Sequence, residues 1–266
     1  MPAISPAQLK IQINQLVEKV DNSNEFARSL NSLMESYSDR VRKPGYISSR
    51  DSLINSYQVP QQVIRQIKNK LKPVLSINPD KAIPIVDALW QEKWLEFKLL
   101  ALEILGWIPP VPPENIINRL NLWSDQNEND YLLDSGFARS LVRLWEENID
   151  LFFNFLKSWL EITDGKKQKM VLRMIPIIVS DQRFDNLPII IQLLSPFVEH
   201  VDLIPASDLV QAVKALALRS PQETSYFLKR AMINTENDAI KVLIRQIIDA
   251  FPDQVRKEFR TYLKKL

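Results

Sequence analysis

The side chains that usually do chemistry are scarce in this chain of 266 residues. There is no Cys, one His, four Gly and seventeen Pro. Without Cys there are no disulfides, thiolate metal sites or Cys nucleophiles. His200 alone excludes every His-pair metal site and leaves a single imidazole for a Ser-His-Asp arrangement. It follows Phe197-Val198-Glu199 at an expected helix end, where the negative end of the helix dipole suits it better than base catalysis. Four Gly cannot form a Gly-rich phosphate loop, and neither GxGxxG nor GxxxxGK[ST] occurs. What remains is carboxylates, indoles and cations. Lys and Arg number 34 against 32 Asp and Glu, a net charge of +2, so only local patches can attract an anion. Arg65, Lys68, Lys70 and Lys72 form one run, and Lys166, Lys167, Lys169 and Arg173 a second. A third set near the C-terminus runs from Lys229 to Lys265. Arg65 and Lys68 share a helix face, as do Lys169 and Arg173. Between residues 124 and 164 the chain is acid-rich, an unfavourable setting for phosphate.

The elements that position these groups are helices. Leu9, Ile13, Leu16 and Val20 recur at steps of three or four behind Ser5 as N-cap and Pro6 at the first helical position. The same period predicts helices at 25–42, 60–75, 80–91, 94–107, 114–123, 131–146, 149–162 and 167–180. Further helices are expected at 187–201, 207–219, 223–234, 238–251 and from 254 onward. Period-two alternation is absent, so strands are not expected. About thirteen helices at roughly 40 residues per pair is the spacing of HEAT and armadillo helical hairpins. Pro84, Pro176, Pro188 and Pro196 suit an array whose kinks adjust curvature. The expected fold is all-α, HEAT-like hairpins forming one α-α superhelix over residues 1–266. Trp107, Trp123, Trp145 and Trp159 fall at apolar helical positions and read as core. No secretory leader or span of about 20 apolar residues is visible, so a soluble, cytoplasmic protein is the default.

The densest stretch is Leu89 to Leu105. Its pattern of Leu-Trp, a gap, Glu-x-basic, then Ala and a Leu-rich run is carried by Leu89, Trp90, Glu96, Lys98, Ala101 and Leu105. It resembles the DNA alkylation repair (AlkD-like) family of HEAT-like repeat proteins. Residues 41–71, with Pro44-Gly45, look like that family's opening segment. Trp159 followed by a basic run and Arg173 resembles an Arg-bearing helix pair, and Ala215-Leu216-Ala217-Leu218-Arg219 resembles a Trp-Ala-Leu-Arg element. The resemblance implies a C-shaped superhelix that holds duplex DNA on its concave face, without cofactor or metal and as a monomer. It also implies DNA glycosylase-like chemistry: release of cationic alkylated purines, with a carboxylate stabilising the oxocarbenium charge on the sugar and two Trp lining the lesion.

Carried over residue by residue, the carboxylate is Asp134, within Asp130-Tyr131-Leu132-Leu133-Asp134. Lys169, Arg173 and Arg219 become the phosphate contacts. Both aromatic positions are changed: one falls on Asp130, with Tyr131 beside it, and the other on Leu216. The alternative, drawn from fold class and near-neutral charge, is a non-catalytic helical-repeat scaffold that binds a protein or peptide in its groove.

Overall fold

The computed structural model describes residues 5–38, 54–126, 131–161, 165–202, 206–235 and 238–265. Asp130 and all of 39–53, with Pro44 and Gly45, lie outside them. The described residues are helical and contain no strand; a lone bridge joins Asn55 to Trp94. The fold is all-α, built from stacked helical hairpins. Packing divides the chain into two compact units, Met1–Asn148 and Ile149–Leu266.

In the first unit the helices are α1 (Pro6–Val17), α2 (Ser23–Tyr37), α3 (Gln61–Leu75), α4 (Pro79–Gln91), α5 (Leu95–Leu105), α6 (Glu114–Gln126), α7 (Tyr131–Ser140) and α8 (Val142–Glu147). Helices α1, α3, α5 and α7 pack each on the next to form one row, and α2 packs on α4 in a second. Stacking of alternate helices is the signature of hairpin repeats. Helix α5 sits between α3, α4 and α7. It buries not only Leu95, Ala101, Leu102 and Leu105 but also Phe97, Leu100 and Ile104, so it is apolar nearly all round rather than on one face. Trp90 of α4 stacks on Trp123 of α6, centroids 4.3 Å apart and rings 8° from parallel. Asp87 of α4 accepts two bonds from Arg119 of α6, both 2.7 Å long.

The second unit comprises α9 (Ile149–Glu161), α10 (Gly165–Ser180), α11 (Leu187–Glu199), α12 (Ser207–Arg219), α13 (Pro221–Asn234), α14 (Ala239–Ile247), a 3-10 turn (Ile248–Ala250) and α15 (Asp253–Lys265). Here α10, α12 and α14 form one row and α9, α11, α13 and α15 the other. Phe155 and Trp159 pack 4.8 Å apart within α9, and Phe152 meets Phe184, between α10 and α11, at 5.8 Å. All four Trp expected in the core are buried.

Three helix ends differ from the pattern. Helix α2 stops at Tyr37, because Ser38 is extended and turns its hydroxyl onto the Glu35 carbonyl at 2.9 Å, the competition with the ladder that serine offers. The expected helix 131–146 breaks at Leu141, whose N–H bonds back three residues to Ala138. The Ser140 hydroxyl is spent on the Phe137 carbonyl beside it. Toward the C-terminus, 238–251 ends as the 3-10 turn.

Candidate nucleic-acid interface

Segment 54–60 enters α3 and is fixed by the Glu-x-basic motif of α5. The Glu96 carboxylate accepts from the Ser56 hydroxyl at 2.7 Å, the Tyr57 N–H at 3.1 Å and the Gln58 N–H at 2.9 Å. Gln58 adopts φ 55°, the left-handed region, so successive amides turn toward one anion, and that anion is Glu96. Tyr57 then stacks on Trp94 at 3.9 Å. Lys98 donates to the Trp90 carbonyl, 2.7 Å away at the end of α4, and lies 4.4 Å from the Trp90 ring centroid. Burial pulls its ammonium below the usual lysine range. Both charged motif residues are therefore structural. Glu96→Ala is expected to cost about 1–3 kcal/mol, because it strands the Tyr57 amide and leaves the Gln58 amide only the Ser56 hydroxyl at 3.0 Å; denaturant unfolding of the full chain measures it.

Helix α3 follows Pro60 and contains Arg65, Lys68, Lys70 and Lys72 with no acid. Val63, Ile67, Leu71 and Leu75 are buried. At 100° per residue Gln61, Arg65, Lys68 and Lys72 gather into one stripe alongside the buried one, with Lys70 facing away. This stripe lines a cleft of about 620 Å³ together with Asn69, Glu103 and Trp107. Lys68 is paired with Glu103 at 2.8 Å, and Arg139 of α7 reaches the same oxygen at 3.4 Å. Arg65 and Lys72 are exposed and make no ion pair among the described residues. The cleft thus offers two cations with no ion pair among the described residues, the paired Lys68 and the side-chain amides of Gln61, Gln62 and Asn69, the donor set that holds phosphate oxygens.

The carboxylate carried over by resemblance lies deeper. Asp134 is in the first turn of α7, where the helix dipole favours an anion, but it is only 1% exposed. Helix α7 is pressed against α5 by two glycines. A Cβ on Gly136 would lie 2.6 Å from Leu102 Cδ1, and one on Gly106 2.2 Å from the Arg139 carbonyl oxygen.

The three basic candidates belong to the second unit. Lys169 is exposed on α10 and makes no ion pair among the described residues. Arg173, one turn further, is largely buried and lies 3.3 Å from Asp208 of α12, so it joins two helices. Arg219 donates to the Gln182 side chain in the α10–α11 turn. Leu216, at the second aromatic position, is 0% exposed: it fills core. His200 caps α11, its Nδ1 donating to the Pro196 carbonyl at 3.0 Å.

Sequence reasoning found the α3 cations but not what pairs with Glu96 and Glu103. Their partners lie 35 to 40 residues away, and no local spacing reports such contacts. Among the described residues no group of His, Asp and Glu could hold a metal ion. No described helix is long and apolar enough to cross a membrane.

Stacked hairpins with a cationic cleft along one helix define an all-α helical-hairpin protein with a local cationic face. A family model described as DNA alkylation repair enzyme matches residues 30–195, from within α2 to within α11. The chain belongs to that family. No curated protein and no solved structure matches it.

Proposed function

We propose that this protein acts in DNA alkylation repair by binding duplex DNA through its sugar-phosphate backbone, with the α3 cleft as a principal contact. The observation that carries this reading is the Gln61, Arg65, Lys68, Lys72 stripe on an acid-free helix, in a chain whose net charge gives no general attraction to polyanions. Exposed Lys169 adds a cation in the second unit, and Arg219 is a further contact once its Gln182 bond is exchanged for phosphate. Arg173, engaged with Asp208, holds α10 to α12.

Backbone binding fits these residues better than base excision. Excision of a cationic purine needs a carboxylate that reaches the sugar and aromatic walls around it. Asp134 is buried, and Leu216 lies in the core. Methylated-purine release from duplex DNA by the wild type is expected to stay at the spontaneous rate, with Asp134→Asn indistinguishable from it. Release above background that disappears in Asp134→Asn would instead make the protein a glycosylase.

A protein-binding role has one specific observation in its favour. Tyr226 and Ile233, two turns apart on α13, are 68% and 70% exposed, more apolar surface than a single helix face normally leaves open. Binding to undamaged duplex that weakens steeply with salt separates the readings in favour of DNA.

A further inference from the structure

The cleft contains its own anion. One oxygen of Glu103, Oε2, accepts from Lys68 of α3 at 2.8 Å and lies 3.4 Å from Arg139 of α7. Its carboxylate is 22% exposed, so it faces the cleft rather than the hydrophobic core. An anionic oxygen shared by two cations from different helices is also how a backbone phosphate is held. The neighbouring Arg65 and Lys72 have no such partner among the described residues, so of the three cations lining the cleft the counter-charge is placed on Lys68, with Arg139 at its edge through Glu103. The cleft, at about 620 Å³, has room for a sugar-phosphate group beside it.

We propose that Glu103 is a built-in phosphate mimic that occupies Lys68 and Arg139 and keeps backbone binding at this cleft weak and exchangeable. The proposal rests on the reading of the cleft as a DNA-backbone site and adds how that site is regulated. Free Arg65 and Lys72 make the first contacts. Lys68 and Arg139 join only when a phosphate oxygen displaces the carboxylate, an exchange of one anion for another that moves no proton and breaks no covalent bond. Such a cleft grips ordinary duplex loosely and lets the protein move along it. Its tighter state requires a backbone that sits deep enough to reach Glu103.

Equilibrium binding of undamaged duplex by the full chain, measured across a salt series for wild type and Glu103→Gln, tests this. Glutamine keeps an acceptor for Lys68 but carries no charge. The variant is expected to bind about ten-fold tighter at low salt. Its plot of log affinity against log salt should steepen by about 0.9 for each cation released to phosphate. Adding Lys68→Met to Glu103→Gln should take one such increment back. A Glu103 that merely ties helices together would lower the melting temperature of Glu103→Gln and leave the salt slope where it was; an unchanged slope or weaker binding overturns the proposal. Absence of salt-dependent duplex binding in the wild type is a separate result, and it removes the reading of the cleft on which the proposal rests.

Discussion

Replacing Gly106 with alanine is expected to cost about 3 kcal/mol or more, a large fraction of what holds a domain of this size together. The added methyl would lie 2.2 Å from the Arg139 carbonyl oxygen and 3.1 Å from both the Arg139 carbonyl carbon and the Ser140 Cα. All three are backbone atoms, so no rotamer change relieves the clash, and α7 as a whole must move off α5. Gly106 has φ −73°, which alanine also adopts. The cost is therefore steric, and the few tenths to 1 kcal/mol gained by restricting the unfolded chain cannot offset it. Gly136→Ala should cost less, because its nearest obstacle at 2.6 Å is the end of the Leu102 side chain. Urea unfolding of the two variants beside the wild type gives the ranking; a Gly106→Ala variant within about 0.5 kcal/mol of wild type would show that α5 and α7 are not seated as described. Movement of α7 would also displace Asp134 and Arg139, so this variant should bind DNA less well as a consequence of packing.

How much of this could be read from the sequence varies with the range of the interaction. Local periodicity and capping chemistry located α1 behind Ser5 and Pro6, α3 after Pro60 and α12 up to Arg219. The break at Leu141 was not legible, since Leu133, Phe137, Leu141 and Leu144 keep an unbroken helical period and are all buried. The cationic stripe on α3 was visible as spacing. Glu103 of α5 completes the cleft, and the Arg139 of α7 that reaches it is brought there by close helix packing at Gly106 and Gly136 that spacing does not encode. Asp134 was identified only by resemblance, and its burial follows from the same packing. Leu216 was legible as a departure from the family pattern; that it fills core required the fold.

Removing the two unpaired cations, Arg65→Ala with Lys72→Ala, is expected to weaken duplex binding by about ten-fold or more for each contact, alike for damaged and undamaged sequences. Phosphate contacts carry no base information, so the loss should not depend on sequence. The salt slope should become shallower by about 1.8 units, two contacts at about 0.9 each. Stability should stay within about 0.5 kcal/mol of wild type, since both side chains are exposed and make no ion pair among the described residues. A binding loss of this kind in a fully folded variant assigns the α3 face directly. Unchanged affinity would move the DNA contact elsewhere, with Lys169 and Arg219 the next positions to replace.

The central claim is that this member of the DNA alkylation repair family meets duplex DNA through its phosphates. The most direct measurement is the affinity of the full wild-type chain for an undamaged duplex across a range of salt concentrations. If Arg65, Lys72 and Lys169 each neutralise one phosphate, log affinity falls linearly with log salt with a slope of about −2.7 or steeper. A flat dependence, or no duplex binding at low salt, would contradict the account.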